Sequence, residues 1–121
     1  MYAPIFAVVS QAPAAAALLG NNPVRFWPFG EAEEDAVLPY AVWQPVGGGP
    51  ENYIDSLPDA DSHTLQVDVY AASEASARAV ARALRDAIEP HAHIVSWRGE
   101  SREQDTRLYR FSFDVDWLVP R

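Results

Sequence analysis

Apolar and polar residues alternate most cleanly from His63 to Ala71: Leu65, Val67 and Val69 fall on one side, Thr64, Gln66, Asp68 and Tyr70 on the other. Successive side chains of an extended chain point to opposite faces, so this period of two predicts a half-buried strand. The same period recurs from Thr106 to Val119, with Tyr109, Phe111, Phe113, Val115 and Trp117 on one face and Arg110, Ser112, Asp114 and Asp116 on the other. Between these two runs the period changes. From Ser73 to Glu89, Ala77, Val80, Ala81, Leu84, Ala87 and Ile88 recur at helical spacing, and Arg78, Arg82, Arg85, Asp86 and Glu89 lie opposite. Ser73 is a good capping residue, Glu74 suits the positive start of a helix, and Pro90 ends it. Glu74–Arg78, Arg82–Asp86 and Arg85–Glu89 are four residues apart, and each is expected to add roughly 0.2–0.5 kcal/mol.

The remaining segments are shorter or more interrupted. Pro4 to Leu19 is rich in Ala and Leu and predicts a helix. Pro13 should break or restart it, with Ser10 as a new cap, and Gly20, Asn21 and Asn22 should stop it. Val24 to Phe29 is a short aromatic strand interrupted by Pro28, and Glu31 to Asp35 is an acidic turn. Leu38 to Val46 reads as a strand with Pro39 and Pro45 near its ends, a placement that suits an edge strand. Gly47 to Ser62 opens with Gly47-Gly48-Gly49-Pro50 and is the longest irregular stretch, expected to be a loop. Ala92 to Trp97 is a strand and Arg98 to Asp105 a charged turn, so the last two strands should form a hairpin. Strands in runs between helices predict one α+β domain over residues 1–121: a mainly antiparallel sheet of four to five strands with two helices packed on one face.

Composition narrows the chemistry. A chain of 121 residues that is 49% apolar can bury one ordinary core. Its longest uncharged run, Met1 to Val24, is broken by Pro4, Pro13 and Pro23 and carries Ser10, Gln11, Asn21 and Asn22, so neither a membrane span nor a signal peptide is expected there. There is no cysteine, which excludes disulfides, thiolate nucleophiles and thiolate metal sites. The net charge of −8 disfavours binding to a phosphate backbone, which needs basic residues to release counterions. All nine basic residues are Arg, a bias that suits interfaces and that a GC-rich genome also produces. No phosphate loop, nucleophile elbow or zinc-protease motif is present. His91 and His93 are two apart, as two ligands on one strand face would be, but no third ligand is marked near them. Asp114 and Asp116, with Arg110 beside them, read as a solvated outer face with salt pairs. The Arg78, Arg82, Arg85 stripe reads as either a contact patch or a solvated face laced with ion pairs.

Taken in order, several segments resemble one family. They are Pro4-Ile5-Phe6-Ala7 through Leu18-Leu19-Gly20, then Val24-Arg25-Phe26-Trp27-Pro28, then Leu38-Pro39-Tyr40-Ala41-Val42-Trp43-Gln44. Leu65-Gln66-Val67-Asp68-Val69-Tyr70-Ala71 with the Ala-rich helix after it, and Asp105-Thr106-Arg107-Leu108-Tyr109-Arg110 with the final strand, complete the series. This order is similar to that of the tail-completion, or tail-terminator, proteins of long-tailed phages. The resemblance implies a structural virion protein that forms a ring, usually a hexamer. Such a ring caps the tail tube, ends its polymerisation and offers a surface for joining to the head. It implies no catalytic residue, no cofactor and no metal. The expected partners are further copies of the chain, the major tail tube protein and a head–tail connector or neck protein. DNA would pass through without specific binding, and no membrane is involved. The protein would be made in the host cytoplasm and reside at the head-proximal end of the tail. Two alternatives stay open: another neck or head–tail connector component, and a small ligand-binding α+β domain, which would need a deep pocket.

A closed ring needs a head-to-tail interface. Candidate contacts with a neighbouring subunit or the tube are Pro39, Pro45, Gly47, Gly48, Gly49, Glu51, Asn52 and Tyr53, together with Arg78, Arg82 and Arg85. An acidic channel or rim would repel phosphates. Its candidates are Glu31, Glu33, Glu34, Asp35, Asp55, Asp59 and Asp61.

Overall fold

The computed structural model describes residues 2–21, 23–54 and 56–121. Asn22 of the predicted turn and Asp55 of the acidic set lie outside the described residues. In chain order come two short helices, α1 (Ile5–Ser10) and α2 (Pro13–Leu19), and strands β1 (Phe26–Pro28), β2 (Tyr40–Pro50) and β3 (Ala60–Ala71). Helix α3 (Glu74–Ile88) and strands β4 (His93–Arg102) and β5 (Tyr109–Pro120) follow. The five strands form one sheet in the order β1-β2-β3-β5-β4. Every pairing is antiparallel except β1 with β2, which is parallel. The α+β class and the five-stranded, mostly antiparallel sheet agree with the sequence pattern.

The two alternating strands lie side by side at the centre. β3 and β5 pair without interruption from Ala60↔Pro120 to Ala71↔Tyr109. Their apolar sets therefore share one face, where Leu65, Val67, Val69, Phe113, Val115 and Trp117 are buried. Against this face pack Val80, Leu84 and Ile88 of α3 and Ile5, Val9 and Leu19 of the first two helices. Burying a side chain such as Leu84 stabilises the fold by about 2 kcal/mol relative to leaving it in water. Ser73 caps α3, its hydroxyl accepting from the Ser76 amide at 3.1 Å.

Four local expectations are corrected. First, the described residues form three helices, because Pro13 divides the N-terminal segment in two. The new helix is capped at Ala12 and not at Ser10, whose hydroxyl donates back to the Ala7 carbonyl at 3.2 Å. Proline at the first helical position has no N–H to be capped and carries the right φ already. Second, Gly47–Pro50 are strand and not loop, paired with Thr64 back to Asp61. Only residues 51–59 connect the hairpin. Beyond Trp43 the outer edge of β2 has no neighbouring strand among the described residues, so the missing N–H of Pro45 costs no ladder bond. A bulge between Pro45 and Gly47 absorbs the irregularity. Third, β4 continues through Gly99, Glu100, Ser101 and Arg102, which pair with Ser112 to Tyr109; the turn begins at Glu103. Fourth, Asp86 pairs with the adjacent Arg85 at 3.0 Å in place of Arg82, while the Glu74–Arg78 and Arg85–Glu89 pairs form as spaced.

Candidate functional site

The outer half of the β2–β3 hairpin is its most exposed part. Every residue from Pro45 to Ile54 is exposed, which includes Gly47, Gly48, Gly49, Glu51, Asn52 and Tyr53. The connection carries apolar side chains into solvent: Ile54 is 100% and Leu57 87% exposed. Its base is tied to the chain end. The Arg121 amide donates to the Asp59 carbonyl at 2.8 Å, and its guanidinium donates to Asp61 at 2.9 Å and to the Pro58 carbonyl at 3.3 Å. The Arg121 hydrogen bond holds the Asp61 carboxyl below the usual carboxylate range. The Tyr53 hydroxyl donates to Asp59 at 2.9 Å, which raises the phenol above its ordinary value. Gly48 has φ +141°, and a Cβ there would stand 2.3 Å from the Ser62 carbonyl oxygen. Pro39 is different in kind: it sits half-buried before β2, and its carbonyl accepts from Arg25 Nε at 3.0 Å.

The sheet face away from the helices is polar but not simply solvated. Asp68 is only 4% exposed and accepts from Ser112 Oγ, from Arg110 Nη2 at 3.2 Å and from Gln66 Nε2 at 3.2 Å. Asp114 accepts from Ser96 Oγ and Arg98 Nε, each at 2.9 Å, and Thr64 Oγ1 donates to Asp116 at 2.6 Å. The expected grouping of Arg110 with Asp114 and Asp116 is therefore corrected. Register puts Ser112 opposite Asp68 and Arg110 opposite Tyr70, so the guanidinium reaches Asp68 on the diagonal. Towards the β1 edge the face turns aromatic. Tyr40 stacks on Tyr70 with centroids 5.2 Å apart and meets Trp27 edge-on at 5.9 Å. Burial pushes both tyrosine phenols above their ordinary value.

On the helix side, α3 and β4 leave a groove of about 220 Å³ at the sheet edge. Arg82, Arg85, Trp97 and Phe111 line it with Arg78, Ala81 and Glu100. Trp97 is 47% exposed, edge-on to Phe111 at 5.6 Å and tilted on Phe113 at 5.1 Å. Arg78 is held by Glu74 and Glu100, and Arg85 by Asp86 and Glu89. Among the described residues Arg82 has no carboxylate partner.

The acidic candidates do not form one cluster. Glu31, Glu33, Glu34 and Asp35 are exposed in the connection between β1 and β2, whereas Asp59 and Asp61 belong to the hairpin between β2 and β3. His91 follows α3 and its ring lies 6.5 Å from that of Trp117, while His93 opens β4 opposite Asp116. Among the described residues no three His, Cys, Asp or Glu side chains are placed to hold a metal. An open depression of about 500 Å³ is lined by Arg102, Gln104 and Arg107, which are exposed, and by the half-buried Glu103, which accepts from Thr106 Oγ1 at 3.1 Å; these four bring no nucleophile and base together. Sequence reasoning did not single out Ile54, Leu57 and Trp97. Their signal is an apolar residue where loop or edge position leaves nothing to cover it.

Three comparisons bear on this arrangement. A chain in the solved virion of a native gene transfer agent particle is similar in fold, with a TM-score of 0.75 at 14% identity, covering 97% of this chain and 92% of that one. No curated protein sequence matches. A family model spans residues 3–120, from two residues before α1 to the end of β5. The chain belongs to the family of that model, tail completion protein gp17, and is a structural protein of a phage-like virion tail.

Proposed function

We propose that this tail protein is a tail-terminator subunit. Copies of it close a ring, a hexamer, on the end of the tail tube, stop tube growth and present a surface to a head–tail connector protein. It works by contact and turns over no substrate. The exposed hairpin carries this reading. Single exposed apolar residues are ordinary, but Tyr53, Ile54 and Leu57 place three large exposed side chains in one short connection, and such grouping suits contact with another protein. Light scattering on the purified protein, alone and mixed with the tail tube protein, should give a mass several times that of one chain. A single-chain mass under both conditions overturns the reading.

The acidic connection from Glu31 to Asp35 lines the channel or its rim. Its four carboxylates are exposed, and none has a salt-bridge partner among the described residues. Facing a lumen, they would repel a passing phosphate backbone over about one Debye length, ~10 Å at 0.1 M salt. Replacing Glu31, Glu33 and Glu34 by Lys and Asp35 by Asn, which suits the positive φ there, should leave the assembled mass unchanged. The variant ring should retain duplex DNA at low salt and release it as salt rises. A variant ring that still ignores DNA removes these residues from the channel.

A further inference from the structure

Resting on that ring reading, we infer that the tip of the β2–β3 hairpin of one copy docks into the α3–β4 groove of the next. The two surfaces complement each other. The connection 51–59 carries Glu51, Asp55 and Asp59 and no basic residue, with Tyr53, Ile54 and Leu57 between them. The groove offers the aromatic faces of Trp97 and Phe111 beside Arg82 and Arg85. Arg82 is the arginine of α3 that lacks a carboxylate among the described residues, and an acidic tip would supply one. At about 220 Å³ the groove is smaller than the ~300–1,000 Å³ usual for small-molecule sites, and it suits one or two apolar side chains.

Position excludes an internal contact. Asp59 is bonded to Arg121 just past the end of β5, and the groove rests on Phe111 near the start of that strand. Phe111 and Val119 are eight steps apart on one strand, about 26 Å at 3.3 Å per residue. A tip at one end of the subunit and a groove at the other make a heterologous contact, which closes into a ring when the rotation allows. The free strand edges fit this role less well. β4 has register irregularities between Ile94 and Ser96 and between Trp97 and Gly99, while the open edge of β2 carries Pro45 and Pro50. Both features blunt strand-to-strand pairing, which leaves side chains to make the joint.

The absence of native cysteine gives a direct test. Leu57→Cys, labelled with a benzophenone maleimide, is irradiated in the assembled protein, with and without tail tube protein. Adducts are expected on the 78–100 stretch of a second copy. Adducts elsewhere on a normally sized ring overturn this contact and leave the ring reading standing, as do adducts on the tail tube protein alone. A protein monomeric under every condition overturns both. In parallel, Arg82→Glu should raise the concentration for half-assembly about tenfold while the circular dichroism spectrum stays that of the wild type. An unchanged midpoint overturns the ionic half of the contact.

Discussion

Replacing Arg110 by Met is expected to destabilise the protein by about 2 kcal/mol, although the residue lies on the sheet face that no helix covers. The reason is its partner. Asp68 is nearly buried, so its carboxylate cannot draw on water when the guanidinium goes. Breaking a buried pair from one side costs about 3–5 kcal/mol in general. Here the figure is lower, because the Arg110 side chain is 35% exposed and Ser112 and Gln66 still donate to Asp68. A second change separates charge from packing: adding Asp68→Asn should recover most of the loss, since a neutral amide accepts from Ser112 without needing a cation. Urea unfolding at one fixed protein concentration measures both, fixed because assembly adds to apparent stability. A loss below about 0.5 kcal/mol for Arg110→Met would mean that water already reaches Asp68.

Asp68 also marks where the sequence stops being readable. The alternation of β3 and β5 states correctly which side chains face the helices. It says nothing about how deeply the opposite set is covered. That depends on cross-strand neighbours, and the register puts Val42 and Ser112 on either side of Asp68. α3 was legible because the apolar stripe, the Ser73 cap and the stop at Pro90 all agree. By contrast Gly47–Pro50 and Arg98–Arg102 read as turns, since glycine, proline and dense charge are poor strand formers. They become strand because β3 and β5 already present paired donors and acceptors beside them, and completing the ladder outweighs local preference. The parallel pairing of β1 with β2 was not legible either, because a three-residue strand carries no sign of its direction. The sequence named residues 47–53 and the arginine stripe as contact candidates, but it read the first as a loop and not as the arm of a hairpin. It did not join the stripe to Trp97, which comes from another element and reaches the groove only once β4 pairs with β5.

Gly48→Val is expected to abolish assembly while leaving the core folded. At φ +141° a side chain is strained in any case, and its Cβ would meet the backbone oxygen of Ser62 and not a movable side chain. The strand pair must therefore part locally. A strained backbone position costs about 1–3 kcal/mol, and the overlap adds to it. The effect should stay in the hairpin. Gly48 is exposed, and among the described residues of β2 and β3 Ala60 is the one buried residue on its tip side; the rest of the buried set begins at Leu65 of β3 and at Ala41 and Val42 of β2. The expected variant has near-native helix content by circular dichroism, fast amide exchange confined to residues 46–64, and a single-chain mass by light scattering. Gly49→Ala is the matched control: no atom lies within 4 Å of its Cβ position, so it should assemble like the parent. If Gly48→Val assembles normally, the hairpin is not the joint between subunits, and the exposed Ile54 and Leu57 must serve a different neighbour.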